Sequence, residues 1–285
     1  MGDTERTIRE QEAQKAKVTI VLFKWNGWSN FYQVQHVNAI SRMFTHYLKI
    51  PYRIVLLTDD MEGDATAEVD EVLPVPPDPK GLKLLTHVNC FKRLNLFDPD
   101  YASQFGTEFV ISIDLDTLIR GDITHLISSA MDHPYGLCIV RGRWAGRQHV
   151  DLTKELKGKR KLPVRPYNGA FFMVRVGDNA QVWNDFHPVN TPIEIRKLRW
   201  VGSDQCAISL LAPNALTLGP EHGMYFFGQY LKERRANPKA QALVLNFAGR
   251  NKKPWSKPVK FEAKDIWQEY MRWLDEEPAT GRRRA

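Results

Sequence analysis

Asp114 and Asp116 stand two residues apart in FVISIDLDTLIRG, at the end of an apolar climb through Phe109, Val110, Ile111 and Ile113. On a strand, residues two apart share a face, so the spacing predicts two carboxylates aimed together with Leu115 turned away. Close carboxylates repel and are costly to desolvate unless a cation lies between or beside them. A hard divalent ion, Mg²⁺ or Mn²⁺, compensates both and takes its remaining ligands readily from phosphate oxygens. The end of a buried strand in an open α/β sheet is also the rim where ligands bind. These residues therefore point to a metal site that holds a diphosphate; a solvated Asp-x-Asp turn without a ligand is the competing reading.

The elements needed to position such a pair are visible around it. Lys17–Trp25 (KVTIVLFKW) is a β-rich apolar segment, followed by a break at Asn26-Gly27. From Asn30 to Leu48 the residues Phe31, Val34, Val37, Ile40, Phe44 and Leu48 recur at helical spacing, with Asn30 as the N-cap. Tyr52–Thr58 is a second buried strand, so the chain opens strand, helix, strand, the start of a parallel α/β sheet. A short apolar piece, Val72–Val75, precedes the proline-rich turn PVPPDP. Amphipathic helices are expected over Leu82–Phe97, Asp122–Met131, Gln181–Phe186, Ser203–Leu211 and Asp265–Leu274. Strands are expected over Tyr135–Val140, Gly169–Val176, Thr217–Gly219 and Ala242–Phe247. The pattern is one α/β domain, a mixed sheet flanked by helices over 17–262. A flexible segment over 1–16 precedes it, and an amphipathic helix with a basic tail over 263–285 follows it.

Composition narrows the class. The chain has 285 residues, 43% hydrophobic and 26% charged, enough apolar material for a sizeable core. No run of 18 apolar residues occurs, so no transmembrane segment is expected, and MGDTERTIREQEAQKAK lacks the apolar stretch of a secretory signal. Arg6 occupies the position where myristoylation needs Ser or Thr. Cys90, Cys138 and Cys206 are far apart, which argues for buried thiols in a reducing compartment rather than disulfides; a cytoplasmic location follows, the host cytoplasm if the chain is phage-encoded. The formal net charge is +7, with the excess concentrated in Thr153–Arg165 and the terminal Gly281–Arg284. Such runs attract polyanions: nucleic acid, an anionic membrane face or a phosphorylated glycan.

SIDLDTLIRGDI resembles the DXD metal-binding motif of GT-A glycosyltransferases, in particular the family-8 or glycogenin-like group. Four further segments follow that family's order. THVNCFKRLNLF is similar to the helix that lends a basic residue to the sugar nucleotide, here Lys92 or Arg93. YNGAFFMVRV resembles the strand that contacts the donor sugar, through Asn168 and Gly169. GSDQCAISLL resembles the helix start beside the reacting centre, which places Asp204 and Gln205 in catalytic roles. LNFAGRNKKPW is similar to a His-x-x-Gly-x-x-Lys-Pro-Trp signature, implying Asn246 as a metal ligand, Gly249 at the diphosphate and Lys253 in catalysis. It departs twice: Asn246 replaces the usual His, and one extra residue separates Gly249 from Lys253. An Asn carbonyl is a weaker ligand for Mn²⁺ than imidazole, and His222 is a spare candidate. The resemblance spans about Val18 to Trp255 and implies a Rossmann-like nucleotide-sugar fold.

The implied reaction is a retaining transfer of a hexosyl or pentosyl group from a nucleotide-diphosphate donor, UDP-sugar favoured, with Mn²⁺ or Mg²⁺ at Asp114 and Asp116. Lys252 or Lys253 would neutralise the departing diphosphate. Lys24 and Trp25, at the end of the first strand, are placed to contact base and ribose, and Trp25, Trp28, Trp144, Trp200 and Trp255 supply aromatic platforms. Arg141, Arg143, Trp144 and Arg147 lead into the basic run on the acceptor side. That mixture suits nucleic acid, such as a hydroxymethylated base in DNA. A phosphorylated glycan or lipopolysaccharide is the equal rival, with Trp267, Trp273 and the GRRR tail making peripheral contact with a membrane. Two other classes stand beside the transferase. A nucleotidyltransferase would carry a Gly-rich basic loop where this chain has KWNGWSN; a non-enzymatic nucleic-acid binder would leave the paired aspartates without a purpose.

Overall fold

The computed structural model describes residues 17–25, 32–82, 90–142, 167–197, 204–247 and 263–275. In chain order these form β1 (Val18–Lys24), α1 (Val34–Tyr47), β2 (Tyr52–Thr58), β3 (Glu71–Pro74), α2 (Pro99–Ser103), β4 (Phe109–Ile113), β5 (Thr117–Ile119) and α3 (Thr124–Met131). The second half contributes β6 (Leu137–Arg141), β7 (Tyr167–Arg175), α4 (Gln181–Asn184), α5 (Asn190–Lys197), α6 (Asp204–Leu211), β8 (Leu216–Leu218), β9 (Met224–Phe226), α7 (Phe227–Ala236), β10 (Val244–Asn246) and α8 (Lys264–Asp275). Short 3₁₀ helices occupy Pro79–Gly81, Cys90–Phe97 and Pro220–His222.

The main sheet has seven strands among the described residues, in the order β3-β2-β1-β4-β7-β6-β8. Strands β1, β2, β3 and β4 are mutually parallel, whereas β7 runs antiparallel to both β4 and β6. The expected parallel opening is therefore present, and β7 turns the sheet into the expected mixed one. Alternation on β1 explains its unbroken apolar sequence. Val18, Ile20 and Leu22 face one core with α1 and α8, and Val21 and Phe23 face a second core with Cys90–Phe97, α4 and α6. A strand covered on both faces reads as continuous hydrophobics rather than as an alternating pattern. A smaller sheet, β5-β10-β9, lies beside this frame and carries Asn246 next to Thr117.

The topology sets the rim. β1 is flanked by β2 on one side and β4 on the other, so the chain leaves their carboxyl ends in opposite directions, the arrangement that opens a crevice. Because β7 is antiparallel, its amino end reaches the same rim, and Asp114 N donates to Ala170 O at 2.8 Å.

Several elements differ from the sequence reading for local reasons. α1 starts at Val34 with Gln33 as its cap, not at Asn30; His36 Nδ1 accepts the Gln33 N–H at 2.8 Å, and Asn30 lies outside the described residues. The described part of the expected Leu82–Phe97 helix is 3₁₀ rather than α, because Leu94 and Phe97 must both enter the second core, where Phe97 stacks on Phe172 of β7 at 5.5 Å. The short α5 and α7 went unanticipated; their sequences lack a sustained apolar stripe. The expected terminal helix is present as α8 and docks on the first core and α1. Ile266 and Tyr270 are fully buried, and Trp273 packs on His46 and Tyr47 at 5.6 and 6.1 Å between ring centres. Cys138 and Cys206 are buried and Cys90 half-buried, all three as free thiols, and burial alone pushes the Cys138 thiol upward. Among the described residues, no helix is long and apolar enough to cross a membrane.

Phe172 joins the central sheet to the 3₁₀ helix that carries Arg93. Phe172→Ala should lower unfolding stability by about 3–5 kcal/mol, read from the urea midpoint at constant m-value.

Candidate functional site

Five segments meet at the rim beyond β4. The first is the turn after Ile113. Asp114 and Asp116 lie past the end of the strand, so pleat alternation does not order them: Asp116 is 2% exposed, while the Asp114 side chain retains 34%. The expectation of two carboxylates sharing a strand face is corrected accordingly. They lie in the one short connection between β4 and β5 and meet different partners.

Asp114 faces Arg93. The 3₁₀ helix Cys90–Phe97 is pinned by Phe91, Leu94 and Phe97, and this aims the neighbouring cations in opposite directions. Lys92 Nζ turns outward to Pro76 O at 3.0 Å and Asp78 Oδ1 at 3.3 Å. Arg93 turns in: Nη1 donates to Asp114 Oδ1 and to Gly169 O, each at 2.7 Å, and Nε stands 2.8 Å from Asp204 Oδ2. Of the two basic candidates, Arg93 is thus the one at the rim. It is 5% exposed and Asp204 is 1% exposed. Burial works against the guanidinium charge, but the carboxylates of Asp204 and Asp114 outweigh it and hold Arg93 protonated well beyond its ordinary range. Removing one partner of such a buried pair strands the other charge in low dielectric.

The close approach needs Gly169. A β-carbon built there would lie 2.8 Å from Asp204 Oδ2 and 3.1 Å from Arg93 Nη2. Gly169 N donates to Gln205 Oε1 at 3.1 Å, and Asn168 Oδ1 accepts from Ala170 N at 2.9 Å, so both residues of the Asn-Gly pair sit in the network. Asp204 opens α6, where a carboxylate suits the positive end of the helix, and Cys206, Ala207 and Ile208 bury that helix against the second core.

Asp116 faces the smaller sheet. Asn246 Nδ2 lies 3.5 Å from Asp116 Oδ1 and 3.3 Å from Thr117 Oγ1, while Asn246 Oδ1 is buried and accepts no hydrogen bond among the described residues. Two phenols, both missed by sequence reasoning, feel the acidic turn. Burial first, then the charges of Asp116 and Asp114, push the Tyr32 hydroxyl well above its ordinary value. Burial and then Asp116 do the same to Tyr270. Neither carries a motif signal: Tyr32 precedes a helix and Tyr270 reads as one apolar position among several.

Asp114, Asp116 and Asn246 carry oxygen atoms of the type a hard divalent cation takes, although Asp114 is paired with Arg93 and Asn246 turns its Nδ2 to Asp116. Among the described residues no cluster of three His, Cys, Asp or Glu side chains has metal-binding geometry, so the amide oxygen would have to serve as the third protein ligand. His222 is occupied in a turn, its Nδ1 accepting from Gly219 N at 3.2 Å. Lys24 is 4% exposed, its Nζ held by Asp64 Oδ2 at 2.8 Å, and Thr58 Oγ1 donates to the same oxygen. Trp25 is half-buried, edge-on to Phe23 at 6.1 Å. Arg141 is ion-paired with Glu221. Gly249, Lys252, Lys253, Trp28, Trp144, Trp200, Trp255, the run 143–165 and the terminal basic tail lie outside the described residues.

No family model matches the chain, and no curated protein matches it. Solved structures do. Over 92% of this chain and 98% of its own, the galactosyltransferase LgtC in complex with donor and acceptor sugar analogues aligns with a TM-score of 0.57 at 14% identity. The fold is that of the GT-A glycosyltransferases. The glycosyltransferase GlyE of Streptococcus pneumoniae TIGR4 shares it with a TM-score of 0.54 at 14% identity over 90% of this chain, and the bifunctional glycosyltransferase WbbM with 0.55 at 15% over 92%. This chain spans 60% of GlyE and 50% of WbbM.

An alanine normally stabilises a strand relative to glycine by lowering unfolded-state entropy. At Gly169 the sign should reverse: Gly169→Ala forces Arg93 from Asp204 and should cost about 1–3 kcal/mol in chemical denaturation.

Proposed function

We propose that the chain transfers a sugar from a nucleotide-diphosphate donor, UDP-sugar favoured, to a hydroxyl of an anionic acceptor, with retention of anomeric configuration. The observation that carries this reading is the Arg93 bridge: one buried cation ties the acidic turn to the Asn-Gly strand and to the start of α6 at the crevice of a GT-A fold. A nucleotidyltransferase or a passive nucleic-acid binder would leave that arrangement without a role.

Asp114, Asp116 and Asn246 would hold Mn²⁺ or Mg²⁺. Bound there, the ion supplies Lewis-acid stabilisation of the charge that grows on the leaving diphosphate. The protein's own part is orientation. Arg93 fixes the Asp114 carboxylate on one side and Asp204 on the other, so neither has to be reoriented when substrate arrives. Gln205 holds the Gly169 N–H, which keeps the Asn168-Gly169 backbone flat against the donor sugar. Asp204 and Gln205 flank the anomeric carbon, Gly249 and Lys252 meet the diphosphate, and Lys253 offsets its charge on departure. In this reading Lys24 shapes the nucleotide end through Asp64 rather than by direct contact, Trp25 meets base or ribose, and Lys92 steadies the 76–78 loop at the donor's edge.

DNA and a phosphorylated glycan or lipopolysaccharide stand level as acceptors, on the net charge of +7 and the basic run 153–165. The division into a flexible 1–16, a transferase body 17–262 and a terminal segment 263–285 belongs to the same proposal, as do a cytoplasmic location and peripheral membrane contact through the tail.

The test needs no acceptor: donor hydrolysis is screened with UDP- and GDP-sugars plus Mn²⁺ or Mg²⁺. Asp114→Ala and Asp116→Ala should each reduce turnover by on the order of 10²–10³-fold, and chelation should abolish it in the wild type. Donor binding that is absent by calorimetry under every metal removes the transferase reading. Asn246→His should tighten Mn²⁺ binding, since imidazole is the better ligand for that ion; unchanged affinity would show that residue 246 does not ligate. Added salt should steeply weaken a DNA acceptor, whereas dependence on anionic vesicles marks a membrane-borne glycan.

A further inference from the structure

Helix α8 is positioned to do more than close the fold. Its adjacent residues Glu269 and Tyr270 grip both ends of the segment that begins with the acidic turn. Tyr270 Oη donates to Leu115 O, the carbonyl between the two aspartates, at a long 3.4 Å. Glu269 accepts from Arg120 Nε at 2.9 Å, just beyond β5, and Arg120 is itself fixed by its N–H to Leu243 O at 2.8 Å and its Nη1 to Tyr230 Oη at 3.2 Å. Elsewhere along the helix, Arg42 Nη1 of α1 donates to the Trp273 carbonyl at 3.0 Å, and Arg234 of α7 makes an exposed pair with Asp265 at 2.9 Å. The Tyr270 ring is fully buried and packs at 6.0 Å on Phe247, whose own N–H donates to Asp116 O at 2.9 Å. Hydroxyl and ring thus act on the same turn from below, one through Leu115 and the other through Phe247.

The geometry points to Tyr270 as a positioning residue for the metal-binding turn, with α8 as the strut that sets where the Asp114 and Asp116 carboxylates stand. This rests on the transferase reading above and deepens its metal site. Burial first and then the nearby Asp116 charge push the Tyr270 hydroxyl well above its ordinary value. A neutral donor beside an acidic turn orients it without cancelling the charge that a cation needs, which a Lys or Arg at 270 would do. Residues of this kind, one shell behind the ligands, set metal affinity through ligand geometry.

The experiment is a Mn²⁺ titration of the full chain followed by electron paramagnetic resonance, with and without UDP, alongside urea unfolding of the metal-free protein. Tyr270→Phe keeps the ring on Phe247 and removes only the hydroxyl. It should weaken Mn²⁺ by roughly 10-fold or more and leave the metal-free midpoint close to that of the wild type. Asp265→Asn, which breaks the α7–α8 pair at the far end of the same helix, should leave Mn²⁺ affinity unchanged. If wild type binds Mn²⁺ and Tyr270→Phe binds it equally, the positioning role is overturned while the transferase reading survives. Equal losses in Tyr270→Phe and Asp265→Asn also overturn it, because they would reflect general loosening of α8. A wild type that binds no Mn²⁺ in either condition removes the metal site itself.

Discussion

The structure is organised around a buried guanidinium. Arg93 is nearly sealed from solvent, and a lone charge there would cost several kcal/mol. Three oxygens offset that cost: Asp114 Oδ1, Asp204 Oδ2 and the Gly169 carbonyl, all within 2.8 Å. They come from three different elements, so the charge can be buried only when the turn after β4, the amino end of β7 and the start of α6 are all in place. Electrostatics here serves as an assembly condition for the rim. The absence of a side chain at residue 169 is part of that condition, because a methyl group would occupy the space through which Arg93 and Asp204 meet.

Charge balance then divides the acidic turn. Asp114 is answered by Arg93, whereas Asp116 sits against an amide and near two phenols whose ionisation is opposed by burial first and then by its charge. Neutral donors soften a buried carboxylate without neutralising it, and the Asn246 carbonyl accepts no hydrogen bond among the described residues. The supports for Asp116, namely β10, the Phe247 N–H and α8, come from the C-terminal part of the chain, while those for Asp114 come from its middle. Metal and donor sites would thus be held by separate halves of the sequence that meet only in the folded state.

Much of this was legible in the chain. β2 runs over the residues its apolar pattern marks, β1 differs only at its ends, and the Val37, Ile40, Phe44 spacing marks the buried stripe of α1. These elements are governed by local periodicity, which a sequence displays directly. Asp114, Asp116, Arg93, Gly169, Asp204, Gln205 and Asn246 were all singled out, and all seven lie at the rim. What could not be read were choices that depend on partners distant in sequence. Whether Lys92 or Arg93 turns inward follows from where Phe91 and Phe97 are buried. Lys24 goes to Asp64, 40 residues away, and Tyr270 to Leu115, 155 residues away.

By itself the sequence determined the residue types capable of the chemistry and the period of the elements that carry them, because side-chain functional groups and strand or helix repeats are local properties. The tertiary structure alone decided which carboxylate meets a cation and which lies near the phenols, what the terminal helix packs against, and that the two aspartates lie beyond the end of the strand. Those outcomes are set by desolvation, and whether a charge is buried is known only once the whole chain has closed around it.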